Sequence, residues 1–131
     1  MTASWSLFND GKVLEANRRY AEMLGYTMAE VRHLQVWDWD AQFDRAQIER
    51  MIQTIGVEGS HFETRHRRKD GSVFDVELSN NGAMIDGQKL IFCVCRDISA
   101  RKRAERALRE RELQLRLFIE HSPAAIAMFD L

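Results

Sequence analysis

Cysteine is nearly absent: the 131 residues contain two, Cys93 and Cys95, standing two apart. A pair that close cannot staple distant parts of a small domain, so a disulfide scaffold is excluded and a reducing compartment is expected. Long hydrophobic runs are also missing, since no apolar stretch comes near the roughly 20 residues of a membrane helix. The amino-terminal residues show no charged segment followed by an apolar stretch, so no secretory signal is expected there and the expected location is cytoplasmic. Neither sign of charge is in excess, with 19 Lys and Arg against 20 Asp and Glu, which argues against a nucleic-acid-binding domain. What remains is ordinary for a folded chain: 45% hydrophobic and 30% charged residues can build a core. The length suits one domain with a short appendage.

The balanced charge conceals a gradient. Residues 1–98 hold 12 basic and 15 acidic side chains, whereas 99–116 hold seven basic (Arg101, Lys102, Arg103, Arg106, Arg109, Arg111, Arg116) and three acidic (Glu105, Glu110, Glu112). The second stretch has no Gly and no Pro, so a boundary is placed at about residue 98.

Three turn signals punctuate the first part: Asn9-Asp10-Gly11, Lys69-Asp70-Gly71 and Ile85-Asp86-Gly87. Asp-Gly between β-like runs predicts hairpins in which both turn residues take positive φ. Phe74, Val76 and Leu78 alternate with Asp75 and Glu77, as in a strand with one covered face. His61–Arg68 alternates more weakly, with Phe62, Thr64 and His66 on one side; Trp5–Phe8 and Lys12–Ala16 are shorter candidates. Leu90–Cys95 is apolar without interruption, which predicts a central strand covered on both faces. Between the first two hairpins the pattern turns helical. Asn17 is a candidate N-cap before Tyr20, Ala21 and Leu24, with a stop at Gly25. Thr27-Met28-Ala29-Glu30 is a capping box, and Asp44 with Gln47 opens a helix bearing Ile48, Met51, Ile52 and Ile55. Two strands, short helices and three long antiparallel strands define an α+β fold.

From Ser99 a single long helix is expected, ending near His121 because Ser122-Pro123 disfavours its continuation. Ala104, Leu108, Arg111, Leu115 and Phe118 are spaced 4, 3, 4, 3, a short heptad seam broken by Arg111. Ala124–Leu131 is a new apolar run.

These pieces, VLEANRRYAEMLGY (13–26), TMAEV (27–31), FETRHRRKDGSVFDVELS (62–79) and RDISARKRAE (96–105), resemble the PAS domain family over nearly all of residues 1–98. VWDWDAQF (36–43) is similar to a subset common in bacterial multidomain sensors. Arg96, Asp97, Ile98 and Ser99 resemble that family's Asp-Ile-Thr signal-transfer motif, with Ser99 in place of Thr. The resemblance implies a PAS fold: a five-stranded antiparallel sheet with short helices on one face and a long C-terminal helix. Residues 1–98 would be the sensor, 99–121 a signalling helix, and 122–131, through IEHSPAAIAMFDL (119–131), the start of a second PAS domain. It further implies a sensory and dimerisation module whose output domain, a histidine kinase or a cyclic-di-GMP enzyme, lies elsewhere.

Candidate pocket residues are Trp37, Trp39, Phe62, His66, Phe74, Asn80 and Phe92, each of which also suits an ordinary core. The stretch aligned with the reactive Cys of light-sensing flavin relatives, His33-Leu34-Gln35-Val36, has no cysteine, and the helix over 44–55 has no histidine for haem. No cofactor is therefore expected, with a small molecule or a noncovalent flavin as the rival reading and a ligand-free spacer as a third. Two cysteines without Cys/His spacing predict no metal site. Asp38 and Asp40 invite acid–base chemistry, but no nucleophile or phosphate-cradling loop accompanies them, so they are expected to anchor the chain and no enzyme is predicted. The expected partner is a second copy. With Leu90, Phe92 and Val94 set toward the helices, Ile91, Cys93 and Cys95 would form an exposed apolar face for it, and the 99–121 helix a coiled coil.

Overall fold

The computed structural model describes residues 2–121 of the chain. Strands β1 (Ala3–Phe8), β2 (Val13–Ala16), β3 (Ser60–Arg67), β4 (Val73–Ile85) and β5 (Gln88–Asp97) form one antiparallel sheet in the order β2-β1-β5-β4-β3. Helices α1 (Arg18–Leu24), α2 (Met28–Val31) and α3 (Arg45–Thr54), with a 3-10 turn at Val36–Asp38, lie between β2 and β3 in the chain. The α+β, five-stranded PAS architecture inferred from the sequence is the one observed. The expected start of a second domain, 122–131, lies outside the described residues.

Local chemistry explains why these elements begin and end where they do. The Asn17 side chain accepts from the Tyr20 N–H at 2.9 Å to start α1, and Gly25 at φ 83° closes it. Thr27 with Glu30, and Asp44 with Gln47, form reciprocal capping boxes on α2 and α3. The hairpin turns divide into two kinds. Asp86 (φ 51°) and Gly87 (φ 76°) both take positive φ, as a two-residue primed turn demands. In the other two only the glycine is left-handed, and the aspartate instead binds the backbone two residues on: Asp10 takes Lys12 N–H at 3.0 Å and Asp70 takes Ser72 N–H at 2.9 Å.

Strand β5 is central, but one face of it is open. Ile91, Cys93 and Cys95 are buried, while Phe92 and Val94 remain 42% and 46% exposed. The expected double cover, and the expected facing, are both corrected. The register supplies the reason: Cys95 pairs with Leu78 and Cys93 with Asn80, and directly opposed residues share a face. Buried Phe74, Val76 and Leu78 thus set the phase for the whole sheet.

The helical excursion also seals the sheet's edges. Arg67 N–H donates to Trp39 O at 2.6 Å and Ala41 N–H to Arg65 O at 2.7 Å, along β3. On the other side Val13 N–H donates to Leu34 O at 3.2 Å.

The described residues divide into two units, one ending at Ile98 and the other beginning at Ser99. In the second, α4 runs continuously from Ser99 to His121, with no buried residue. Its exposed large apolar side chains include Leu108, Leu115 and Phe118 of the heptad seam, but also Leu113 and Leu117. At about 100° per residue, the last two fall on the side opposite Leu108.

Candidate functional site

Beneath α3 the sheet encloses a cavity of about 40 Å³. Its floor is set by strand register. Trp5 on β1 pairs with Cys93 on β5, and Cys93 with Asn80 on β4, so these three form one row across the sheet. Leu7, Ile91 and Gly82 form the adjacent row. Phe43 and the α3 residues Ile48, Met51 and Ile52 close the top, with Asp40 and His66 at the wall. Gly82 belongs there because a Cβ would stand 2.7 Å from Ile55 O, and its own N–H donates to Gly56 O at 2.9 Å. Lys89 Nζ donates to the carbonyls of Ile52 (2.8 Å) and Gln53 (3.2 Å), pinning the last turn of α3 to β5.

The polar groups around this space are unequal. His66 and Tyr20 are fully buried and hydrogen-bonded, Nδ1 to Oη, at 3.0 Å. Burial holds the His66 imidazole far below its ordinary range, at about 3, so it is neutral. The same desolvation pushes the Tyr20 phenol up, and Cys95 up to about 12. Cys93, raised further still, is likewise a closed thiol without thiolate chemistry. Asp40 is raised by burial, although it accepts from Gln42 and Phe43 N–H (2.9 and 2.7 Å) and from Thr64 Oγ1 (3.3 Å). Three buried polar atoms find no partner among the described residues: Trp5 Nε1, Trp39 Nε1 and Asn80 Oδ1.

The sequence-named pocket residues separate accordingly. Phe62, His66 and Asn80 line the cavity. Trp39 and Phe74 are buried beside it: Trp39 meets Trp5 and Tyr20 edge-on, and Phe74 meets His66 edge-on under the Arg68 guanidinium. Trp37 is displaced to Gly11 and lies under Arg45, 4.4 Å from its guanidinium carbon. Phe92 lies on the opposite sheet face, because the β5 register turns it outward. Trp5, Asp40 and Cys93 were not named as lining. Trp5 is stacked on Tyr20 at 4.1 Å, and strand pairing alone carried the signal for it. As shaped, the space holds a few water-sized groups and does not fit the tricyclic ring of a flavin. Among the described residues no group of three or more His, Cys, Asp or Glu is placed to hold a metal ion.

A second cluster surrounds the end of β5. Arg68 reaches three elements: Nε donates to Met23 O on α1 (3.2 Å), Nη1 to Ser72 Oγ (3.2 Å), and Nη2 lies 3.8 Å from Asp97 Oδ2. Ile98 is 4% exposed, and its N–H donates to Asp75 O at 2.9 Å. One residue therefore joins strand to helix, and it is held in the core.

Comparison with known proteins agrees with this architecture. The PAS domain family model matches residues 2–100, and the chain belongs to that family of sensory modules. It is 33% identical over 97 residues to the methyl sulfide methyltransferase-associated sensor of Methanosarcina acetivorans, covering 73% of this chain but 10% of that protein. Among solved structures, the PAS domain of an HTR-like protein from Haloarcula marismortui superposes with TM-score 0.70 at 28% identity, over 74% of this chain and 81% of that one. A sensory box histidine kinase/response regulator from Burkholderia thailandensis superposes with TM-score 0.66 at 19% identity, over 88% and 90%. The chain thus carries a PAS sensor domain and spans about a tenth of the length of its curated relative. No helix among the described residues is long and apolar enough to cross a membrane.

Proposed function

We propose that this chain is the sensory and dimerisation module of a larger signal-transduction protein, passing a signal from the sheet through Arg96, Asp97, Ile98 and Ser99 into α4. The observation that carries the reading is the anchored junction. Ile98 is buried and bonded to β4, Asp97 faces Arg68, and Arg68 is bonded to the end of α1. A shift of α1 or of the β4–β5 pair therefore acts on the residues that precede the helix. Two copies associating through Phe92 and Val94 and through the Ala104, Leu108, Arg111, Leu115 and Phe118 stripe would turn that shift into a change of register between paired helices. Arg111 in that stripe weakens any single register and brings competing ones closer in energy. The output, a histidine kinase or a cyclic-di-GMP enzyme, would then respond.

Replacing Asp97 by Ala in the full-length protein tests this. The expected result is an output that no longer responds to the stimulus, together with faster hydrogen exchange at the Ile98 amide. Preserved signalling would remove the junction from the mechanism and favour a spacer.

A further inference from the structure

We infer that Ser79 is a covalent acceptor site for the acyl group of an activated donor (an aryl ester, a thioester or an acyl phosphate), with His61 as the base that frees its hydroxyl. The site goes beyond the sensor reading and lies on the sheet face that carries Phe92 and Val94. Strand register assembles it. His61 on β3 and Ser79 on β4 are directly opposed, and Glu77, two residues before Ser79, shares their face. His61 Nδ1 and Ser79 Oγ are 2.8 Å apart, and His61 Nε2 faces Glu77 Oε1 at 3.8 Å. Arg96, opposite Glu77 on β5, holds the same carboxylate oxygen at 2.9 Å.

This geometry fixes the tautomer. A carboxylate beside Nε2 favours the proton on that nitrogen, which leaves the Nδ1 lone pair to accept from the Ser79 hydroxyl. A serine bonded to an imidazole that is itself backed by a carboxylate is the arrangement that turns a weak hydroxyl into a nucleophile. As Oγ attacks the donor's carbonyl carbon, its proton passes to Nδ1, and the imidazolium so formed faces Glu77. The bond to the phenolate, thiolate or phosphate then breaks, and its electron pair departs with that group. The proton leaves Nδ1 for the departing group or for water, and an ester remains on Ser79. The side chains are accessible: His61 is 61% exposed and Ser79 is exposed. A surface depression lined by Gly59, Ser60, His61, Ser79 and Asn81 lies alongside. Ser72 is placed differently, since its hydroxyl donates to Asp70 Oδ1 at 2.6 Å and accepts from Arg68 Nη1 at 3.2 Å. Ser79 also stands opposite Val94, so an acyl group fixed there borders the surface proposed for the second copy. That consequence rests on the association reading, whereas the chemistry does not.

The test incubates the 131-residue chain with p-nitrophenyl acetate and locates acetyl groups by tandem mass spectrometry. The tryptic peptide 70–89 carries both serines, so Ser72 is an internal control. Ser79 should acquire the acetyl group at least about tenfold faster than Ser72, and His61→Gln should remove that advantage, as expected for the loss of a general base. His33→Gln, at an exposed histidine just after α2, should change nothing. Equal labelling of the two serines, or a Ser79 rate that survives His61→Gln, overturns the assignment. So does a loss in His33→Gln as large as in His61→Gln, because the acetyl group would then come from any surface imidazole. The ratio of Ser79 to Ser72 is read on the parent chain and depends on no variant folding. Absence of labelling leaves the association reading untouched, and a monomeric chain leaves the labelling result untouched.

Discussion

The two faces of β5 are built from the same kinds of residue and have opposite fates. Ile91, Cys93 and Cys95 are sealed under the helices, whereas Phe92 and Val94, from the same apolar run, stay nearly half exposed. Composition does not separate them, but register does. The inner face holds the aromatic group of Trp5, Tyr20 and Trp39 with the neutral His66, and its energy is spent on folding. The outer face gains little in a single copy, and in the proposed dimer its apolar surface is what the second copy covers.

That contrast breaks most visibly under truncation. Ile91→Ala should cost about 2–4 kcal/mol in urea unfolding, because the rigid aromatic floor cannot collapse onto the void. An effect below about 1 kcal/mol would show the inner face to be loosely packed. Acidification probes the same face. The His66 value is depressed when folded, so both states are neutral above pH 6.5 and nothing is lost there. Between 6.5 and about 3 only the unfolded chain takes the proton, and stability should fall by about 1.4 kcal/mol per pH unit. Asp40 works the other way. Its raised folded value lets the native state take a proton first as pH falls, which offsets part of the loss at the acid end. His66→Gln should flatten the urea-measured pH profile; an unchanged slope would place the titration elsewhere.

Smaller effects sharpen the comparison at its borders. Asp44→Ala removes the α3 cap and should cost about 1 kcal/mol by thermal unfolding, loosening the cover of the inner face alone. On the outer face Val94→Ala should change monomer stability by no more than about 0.5 kcal/mol. A loss comparable to Ile91→Ala would mean that this face, too, is part of the core.

Much of the fold was legible because local chemistry carries it. The caps at Asn17, Thr27 and Asp44, the stop at Gly25 and the Asp86-Gly87 turn each demand a residue type that the sequence shows. The facing of β5 was misread because an uninterrupted apolar run has no alternation of its own. The information lay nearby: the two-residue turn pairs Ile85 with Gln88, and counting back from it pairs Leu78 with Cys95 and Asn80 with Cys93. The site was legible in part for the same reason. Phe62, His66 and Asn80 sit on strands with visible alternation, whereas Trp5 reaches the cavity through pairing between β1 and β5, far apart in the chain. Trp37 was misplaced because nothing in its neighbourhood announces that Gly11, at φ 84°, leaves it a seat at the rim.

Sedimentation equilibrium on the 131-residue chain and on its Val94→Asp variant tests the central claim, that the outer face of β5 serves association while the inner face serves folding. The account predicts a dimer at tens of micromolar for the parent, and for the variant a monomer with unchanged circular dichroism and urea midpoint. A parent chain that stays monomeric at several hundred micromolar, or a variant that dimerises equally well, would contradict it.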